Sequence, residues 1–352
     1  MADTKTVLVT GGAGFIGSNF VHHLLAARPE CNVVVLDKLT YAGNERNLDP
    51  VRDDPRFRFV QGDICDRETV RRAMHGCQWV LNFAAETHVD RSIVDPGAFV
   101  RTDVEGTYTL LEAARELGVE RFIQISTDEV YGNAEAPDGT SRPSLETDAL
   151  KPLSPYAASK AGADRLAFSY WATYGTPVVV TRCSNNYGPY QYPEKQLPLF
   201  IVNALNDRPL PVYGNGANTR DWIHVSDHCA ALVRILLAPA ETVHGEVFNV
   251  GAAEERSILE NARQILNLLG KSQDLITFVP DRLGHVQRHA VDSSKLRERL
   301  GWEAHIRFAE GIAETVAWYR THREWLDAVL ARTDAFLDQA LALAESNGTG
   351  AR

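Results

Sequence analysis

The 352-residue chain is long enough to bury a large core without disulfides or structural metals. Its formal net charge of −10, from 46 Asp and Glu against 36 Lys and Arg, argues against nucleic acid as a partner, because phosphate backbones select basic faces. Five scattered cysteines without metal or redox spacing read as reduced core thiols; with no signal peptide or membrane-length apolar run visible, a cytoplasmic protein is expected.

In chain order, short apolar runs at 7–10, 33–37, 57–61, 80–83, 122–126 and 178–181 alternate with amphipathic segments. That alternation predicts an α/β fold with a doubly wound parallel sheet covered on both faces. The first helix starts near Phe15, places Phe20, Val21, Leu24 and Leu25 on one face and stops before Pro29; another is expected over 103–117. Beyond Thr181 the texture turns to Pro- and Gly-rich loops, with strand-like pieces at 222–225, 247–250 and 276–279 and a helix from about Asp227. A first lobe over 1–181 is therefore expected, capped by a smaller C-terminal α/β lobe over 182–322 that partly interleaves with it. Residues 323 to about 345 read as one amphipathic helix, followed by a Ser/Asn/Gly tail.

Gly11, Gly14 and Gly17 recur at every third position between the first strand and the first helix, which Phe15 and Ile16 open. A side chain at such positions would keep the backbone from a pyrophosphate, whose charge the helix N-terminus stabilises. A glycine trio alone is a weak signal; its setting strengthens it. Asp37 closes the second strand, where a carboxylate accepts ribose hydroxyls and repels a further phosphate, so NAD is expected rather than NADP. Lys38 tempers that preference. Asp63 and Ile64 follow the third strand, and Phe83, Ala84, Ala85 and Glu86 the fourth, where small residues let backbone pass close to a ligand. All lie at the carboxyl ends of strands, where such sheets bind, and together they predict a Rossmann-like NAD lobe.

Tyr156 and Lys160, four residues apart, share one helix face. In isolation such a pair is ordinary helix surface. Behind a dinucleotide lobe, the ammonium and a positive nicotinamide would lower the phenol's pKa and let it take a proton from a hydroxyl. Ser126, Thr127, Asp128 and Glu129 close the fifth strand, and the two adjacent carboxyl groups read as an acid and a base for elimination.

The glycine trio, the Thr127-Asp128-Glu129 triplet and the Tyr156/Lys160 pair together resemble the dTDP-glucose 4,6-dehydratases, over about residues 7 to 320. The resemblance implies that Tyr156, supported by Thr127 and Lys160, deprotonates the sugar 4-hydroxyl while NAD accepts hydride from carbon 4. Glu129 would then remove the proton on carbon 5 as Asp128 protonates the departing 6-hydroxyl. Return of the hydride to carbon 6 would leave a 4-keto-6-deoxy sugar. To the cofactor contacts the resemblance adds Leu39, Thr40, Thr87, Thr102 and Asn186, with Ser126, Tyr156 and Lys160. On the substrate side it implies Thr87, Thr127, Asn185, Lys195, Gln196, Pro211, Val212, Tyr213, Arg220, Asn249, Asp281, Arg282, Leu283, Gly284 and His285, with Lys195 and Arg220 supplying cations for a diphosphate. A homodimer through the Tyr156 helix is implied too, and no metal.

Val286 and His289 stand where the family usually has aspartate and tyrosine, at the nucleotide end of the substrate. Discrimination between thymine and uracil is therefore expected to weaken, and a UDP-sugar stays open as substrate. A nucleotide-sugar 4-epimerase or decarboxylase would share Tyr156 and Lys160 but has no use for the acidic pair. A non-catalytic NAD-binding sensor or scaffold would need neither.

Overall fold

The computed structural model describes residues 4–136, 138–281 and 285–332. Seven strands form the main sheet: β1 (Lys5–Thr10), β2 (Cys31–Asp37), β3 (Phe57–Gln61), β4 (Trp79–Asn82), β5 (Arg121–Thr127), β6 (Val178–Cys183) and β10 (Val247–Val250). They pair in parallel in the order β10-β6-β5-β4-β1-β2-β3. Their near-continuous apolar runs follow from burial on both faces. Val7, Val9, Val33 and Val35 face one core, shared with the helices Phe15–Ala27 and Val225–Leu237. Leu8, Leu36, Val80 and Phe122 face the other, shared with Arg67–Met74, Gly106–Leu117 and Pro155–Tyr174.

Both β10 and Val225–Leu237 come from the C-terminal half, so the chain crosses back into the first lobe before the second is finished. In the second lobe, β7 (Asn185–Tyr187), β9 (Thr219–His224), β11 (Glu255–Ser257) and β13 (Arg288–His289) make a small mixed sheet, and β8 (Leu210–Tyr213) pairs with β12 (Ile276–Val279). Leu197, Phe200, Val212, Ile265, Phe308 and Tyr319 fill its core.

The differences from expectation are local. Regular α-helix begins at Gly106 rather than Asp103, because Val100–Glu105 forms a wider π-type turn. Apolar spacing reports which face is buried and does not register one extra residue in a turn. β9 starts at Thr219 and leaves Val225 to the following helix. Residues 323–332 are helical; the rest of the expected final helix and its tail lie outside the described residues.

The strand order reverses direction between β1 and β4, which opens a crevice at the carboxyl ends of the strands. The main cavity lies there.

Candidate active site

β1 ends at Gly11, whose φ of +67° favours glycine and where a Cβ would come within 2.6 Å of the Ala84 nitrogen after β4. A Cβ on Gly17 would lie 2.3 Å from the Gly11 carbonyl oxygen, so glycine also lets the helix close on its own entry loop. Gly14 is the helix N-cap, with no side-chain cap and no acidic residue in the first turn. That positive helix end, from Gly14 to Gly17 with Phe15 and Ile16, lines the cavity and suits a diphosphate. Asp37 accepts the Ala13 N–H at 2.9 Å on one oxygen and the Leu39 N–H at 2.8 Å on the other. Lys38 Nζ sits 2.8 Å from Asp63 Oδ2, so its charge is spent on Asp63 and does not offset Asp37's repulsion of an added phosphate. Thr40, Asp63, Ile64, Phe83, Ala84, Ala85, Glu86, Thr87, Thr102, Ser126 and Asn186 also line the cavity. Leu39 is off the lining, its N–H held by Asp37. The Ser126 hydroxyl and the Asn185 carbonyl oxygen are buried with no protein partner, which fits a polar ligand.

β5 delivers Thr127 to the cavity, and Asp128–Tyr131 follow as a single 3₁₀ turn. Thr127 Oγ1 accepts the Glu129 N–H and donates to Asp128 Oδ1, each at 3.3 Å, which holds the two acidic residues in register. Asp128 is buried, and its Oδ2 has no partner. Burial first, then the charges of Glu129 and Asp221, hold its carboxyl well above the usual carboxylate range, while Arg220 pulls the other way. That direction favours the protonated carboxyl and suits Asp128 to serve as an acid.

Ser154 caps the helix Pro155–Tyr174 by accepting the Ala157 N–H at 3.1 Å, and Tyr156 and Lys160 enter the cavity from its first turns. Lys160 Nζ donates to the Ile125 carbonyl at 2.7 Å; burial lowers its pKa and Asp103 opposes that. The expected lowering of the Tyr156 pKa is not what this cavity produces. Part of the ring stays accessible, but the hydroxyl end is shut in, and burial, then Glu129 and Asp103, hold the phenol well above its ordinary value. Burial and the surrounding carboxylates both oppose the phenolate, so its ionisation falls to the positive charge an oxidised nicotinamide brings.

Sequence reasoning missed Asp103. In the π-type turn it accepts from Ser159 Oγ at 2.6 Å and from the Glu86 N–H at 2.8 Å, and burial pushes its carboxyl up to about 6. Nothing in the sequence marks it, since an Asp inside a helical stretch normally faces water.

Residues 8–315 match the GDP-mannose 4,6 dehydratase family. A dTDP-glucose 4,6-dehydratase of Streptomyces niveus is 48% identical over 333 residues, spanning 94% of this chain and 97% of that one. The low-salt glycan biosynthesis protein Agl12 of Haloferax volcanii is 51% identical over 313 residues, 89% of this chain and 98% of that one. DesIV, the dTDP-glucose 4,6-dehydratase of Streptomyces venezuelae solved with NAD and TYD bound, superposes with a TM-score of 0.87 at 47% identity, covering 92% of this chain and 99% of that one. The chain belongs to the dTDP-glucose 4,6-dehydratase family.

On the substrate side of this dehydratase-family chain, Thr87, Thr127, Asn185 and Lys195 meet at the cavity, where Lys195 Nζ donates to Thr87 Oγ1 at 3.0 Å. Arg220 is buried, donates to the Val286 carbonyl at 3.0 Å and acts on Asp128 through its charge. Gln196, Pro211, Val212, Tyr213, Asp281 and His285 lie off the cavity lining. Gln196 opens the helix Gln196–Leu205, and Val212 points into the second core, so only its backbone is open to a ligand. His285 Nδ1 is 2.5 Å from Asp281 Oδ1 and its ring packs edge-on against Tyr213. Arg282, Leu283 and Gly284 lie outside the described residues.

Asn249 lies off the cavity lining. It is fully buried, its oxygen accepts from the Tyr131 hydroxyl at 2.8 Å, and its nitrogen donates to the Ser144 and Asp292 carbonyls at 2.9 and 3.2 Å. That amide ties β10 to the Tyr131 turn and to the 144 and 292 loops. Gly62, Cys183 and Gln191 also line the cavity without having been singled out. Cys183 ends β6, where the strand-end rule could have found it; burial pushes its thiol up to about 12.

Proposed function

We propose that the chain is a cytoplasmic, homodimeric NAD-dependent dehydratase that converts dTDP-glucose to its 4-keto-6-deoxy product. The observation that carries this reading is the acidic pair at the end of β5, with Asp128 buried at the cavity and Glu129 partly exposed beside it. An epimerase has no step that consumes an acid and a base at neighbouring carbons. Gly11, Gly14 and Gly17 suit the cofactor's diphosphate and Asp37 a ribose. When bound, NAD accepts a hydride from sugar carbon 4 and returns one to carbon 6. Tyr156 takes the 4-hydroxyl proton, with Lys160 and Thr127 beside it. Glu129 removes the carbon 5 proton, made acidic by the new ketone, and Asp128 protonates the leaving 6-hydroxyl. Lys195 and Arg220 supply cations for the substrate's diphosphate in an otherwise acidic protein.

Five free cysteines suit a reducing compartment, and no described helix is long and apolar enough to cross a membrane. Tyr108, Leu153, Phe168 and Tyr174 stand exposed on or beside two adjacent helices, an apolar set that a second copy would cover. Val286 and His289 favour a test of the uridine nucleotide alongside.

Purified protein given dTDP-glucose and, in parallel, UDP-glucose should yield a product lighter by one water, with the strong alkaline ultraviolet absorbance of a 4-keto-6-deoxy sugar. No added reductant should be needed. A carbon 4 epimer in place of the dehydrated product would sink the dehydratase reading.

A further inference from the structure

The glycine loop is held from behind by a part of the chain far from it in sequence. Residues 323–332 are helical, and the indole N–H of Trp325, a donor only, gives its hydrogen bond to Asn47 Oδ1 at 2.7 Å. Both partners are buried, Asn47 with 1% exposure. Because the indole can only donate, it fixes which end of the Asn47 amide is oxygen and turns Nδ2 toward the Ala13 carbonyl, 2.9 Å away. The same carbonyl accepts the Asn44 N–H at 3.0 Å, and the Ala13 N–H goes to Asp37 at 2.9 Å.

The Ala13 peptide, between two glycines of the loop, is thus gripped on both sides. Its carbonyl dipole is engaged by Asn44 and Asn47 and kept from the cavity, where it would repel a diphosphate, while the helix end that follows presents positive charge. Arg332 adds to this from the same helix, donating to the carbonyls of Gly43 at 3.1 Å and Thr40 at 3.2 Å, two further residues of the cavity wall.

We propose that the C-terminal helix is a working part of the cofactor site, with Trp325 and Asn47 as positioning residues that orient the glycine loop toward the cofactor's diphosphate. The proposal rests on reading the cavity as the NAD site. Neither residue touches the reacting atoms. Their effect belongs to cofactor affinity and retention, not to the chemical steps.

Trp325→Phe keeps a ring in the aromatic cluster with Trp318 and Tyr190 but removes the N–H. Asn47 is then free to flip and set its oxygen against the Ala13 carbonyl. Holoenzyme passed through gel filtration should retain less NAD, and calorimetric titration of stripped protein should show NAD and ADP-ribose weakened by the same factor, about tenfold for one lost buried hydrogen bond. Turnover at saturating NAD should stay within about twofold of wild type, the pattern of lost uniform binding. Asn47→Asp, which cannot donate to the Ala13 carbonyl, should weaken both ligands at least as much. Trp318→Phe is the control, since it loosens the same cluster without touching Asn47 and should leave NAD affinity unchanged. Wild-type affinity in both Trp325→Phe and Asn47→Asp would overturn the proposal, as would equal weakening in Trp318→Phe. If the wild-type protein itself neither retains nor binds NAD, the cofactor reading fails instead.

Discussion

Asp128 and Glu129 are chemically alike and adjacent, yet their surroundings separate them. Asp128 is buried beside another carboxylate, which favours its protonated form, while Glu129 keeps partial exposure at the cavity. A division of labour follows that can be read step by step. Glu129→Gln keeps size and a hydrogen-bonding end but loses basicity, so carbon 4 should still be oxidised by way of Tyr156 and the near-ultraviolet absorbance of reduced cofactor should build up on mixing with dTDP-glucose. Product should form about a hundredfold to ten-thousandfold more slowly, the usual worth of a general base. Tyr156→Phe should instead show no early absorbance, because the first hydride transfer loses its proton acceptor. Rapid mixing decides between them: normal product formation in Glu129→Gln, or normal oxidation in Tyr156→Phe, would undo the assignment. These residues were legible in the sequence because the chemistry restricts their types and their place at strand ends. The direction of the Tyr156 shift was not, because it depends first on burial and then on Glu129 and Asp103 arriving from other elements.

Among the elements, the π-type turn at Val100–Glu105 was the least legible and has its own consequence. The strands and the first helix follow from apolar runs and a glycine-flanked start, which physical periodicity makes visible. A one-residue widening of a turn leaves no such mark, yet it brings Thr102 to the cavity and sets Asp103 under Ser159 and near Lys160. Burial raises the Asp103 pKa from 3.8 to about 6. The native state therefore binds this proton more tightly than the unfolded chain, so the stability it confers is full below pH 4 and is lost as pH rises through about 6. Two units correspond to about 3 kcal/mol as a ceiling. Asn in this place can still accept from the Glu86 N–H and can donate to Ser159. Asp103→Asn should therefore lack this part of the decline between pH 4.5 and 7.5 in urea unfolding curves. It should also lower the Lys160 pKa further, since Asp103 supplies the main charge raising it, and move the alkaline limb of carbon 4 oxidation to lower pH. An unfolding profile parallel to wild type across that range would show that Asp103 does not titrate there.

For the whole molecule, the alternation of strands and helices made an α/β protein with a doubly wound parallel sheet readable, whereas the ties between its parts were not, because they join residues far apart in sequence. Arg182 on β6 pairs with Asp164 of the Tyr156 helix at 2.8 Å, both essentially buried, and donates to the Tyr131 hydroxyl at 2.7 Å, which in turn donates to Asn249 on β10. This line fastens the 3₁₀ turn bearing Asp128 and Glu129 to the catalytic helix. Arg182→Met would leave the buried Asp164 carboxylate only Arg165, 2.6 Å away and itself half exposed, as an ion-pair partner, and urea unfolding should show a loss of up to about 3–5 kcal/mol; a loss under about 1 kcal/mol, the scale of an exposed pair, would mean that Arg165 alone compensates Asp164. The assembly is the largest-scale feature that can be tested. Tyr108, Leu153, Phe168 and Tyr174, between 36% and 58% exposed, stand on or beside the adjacent helices Gly106–Leu117 and Pro155–Tyr174. A stable interface of standard size removes about 800 Å² per partner from water, and aromatic residues are enriched at its centre. Sedimentation of the wild-type protein should give twice the 39.0 kDa of one chain. Tyr108→Glu combined with Phe168→Glu places two charges in the centre of that face, where desolvating them costs more than the surrounding contacts return, and should shift the protein to monomer at micromolar concentration. Since Tyr156 and Lys160 sit on the same helix as Phe168, the monomer should also lose activity as its catalytic helix loses its outer support. A wild-type monomer, or a double variant that stays dimeric, would remove this face from the assembly.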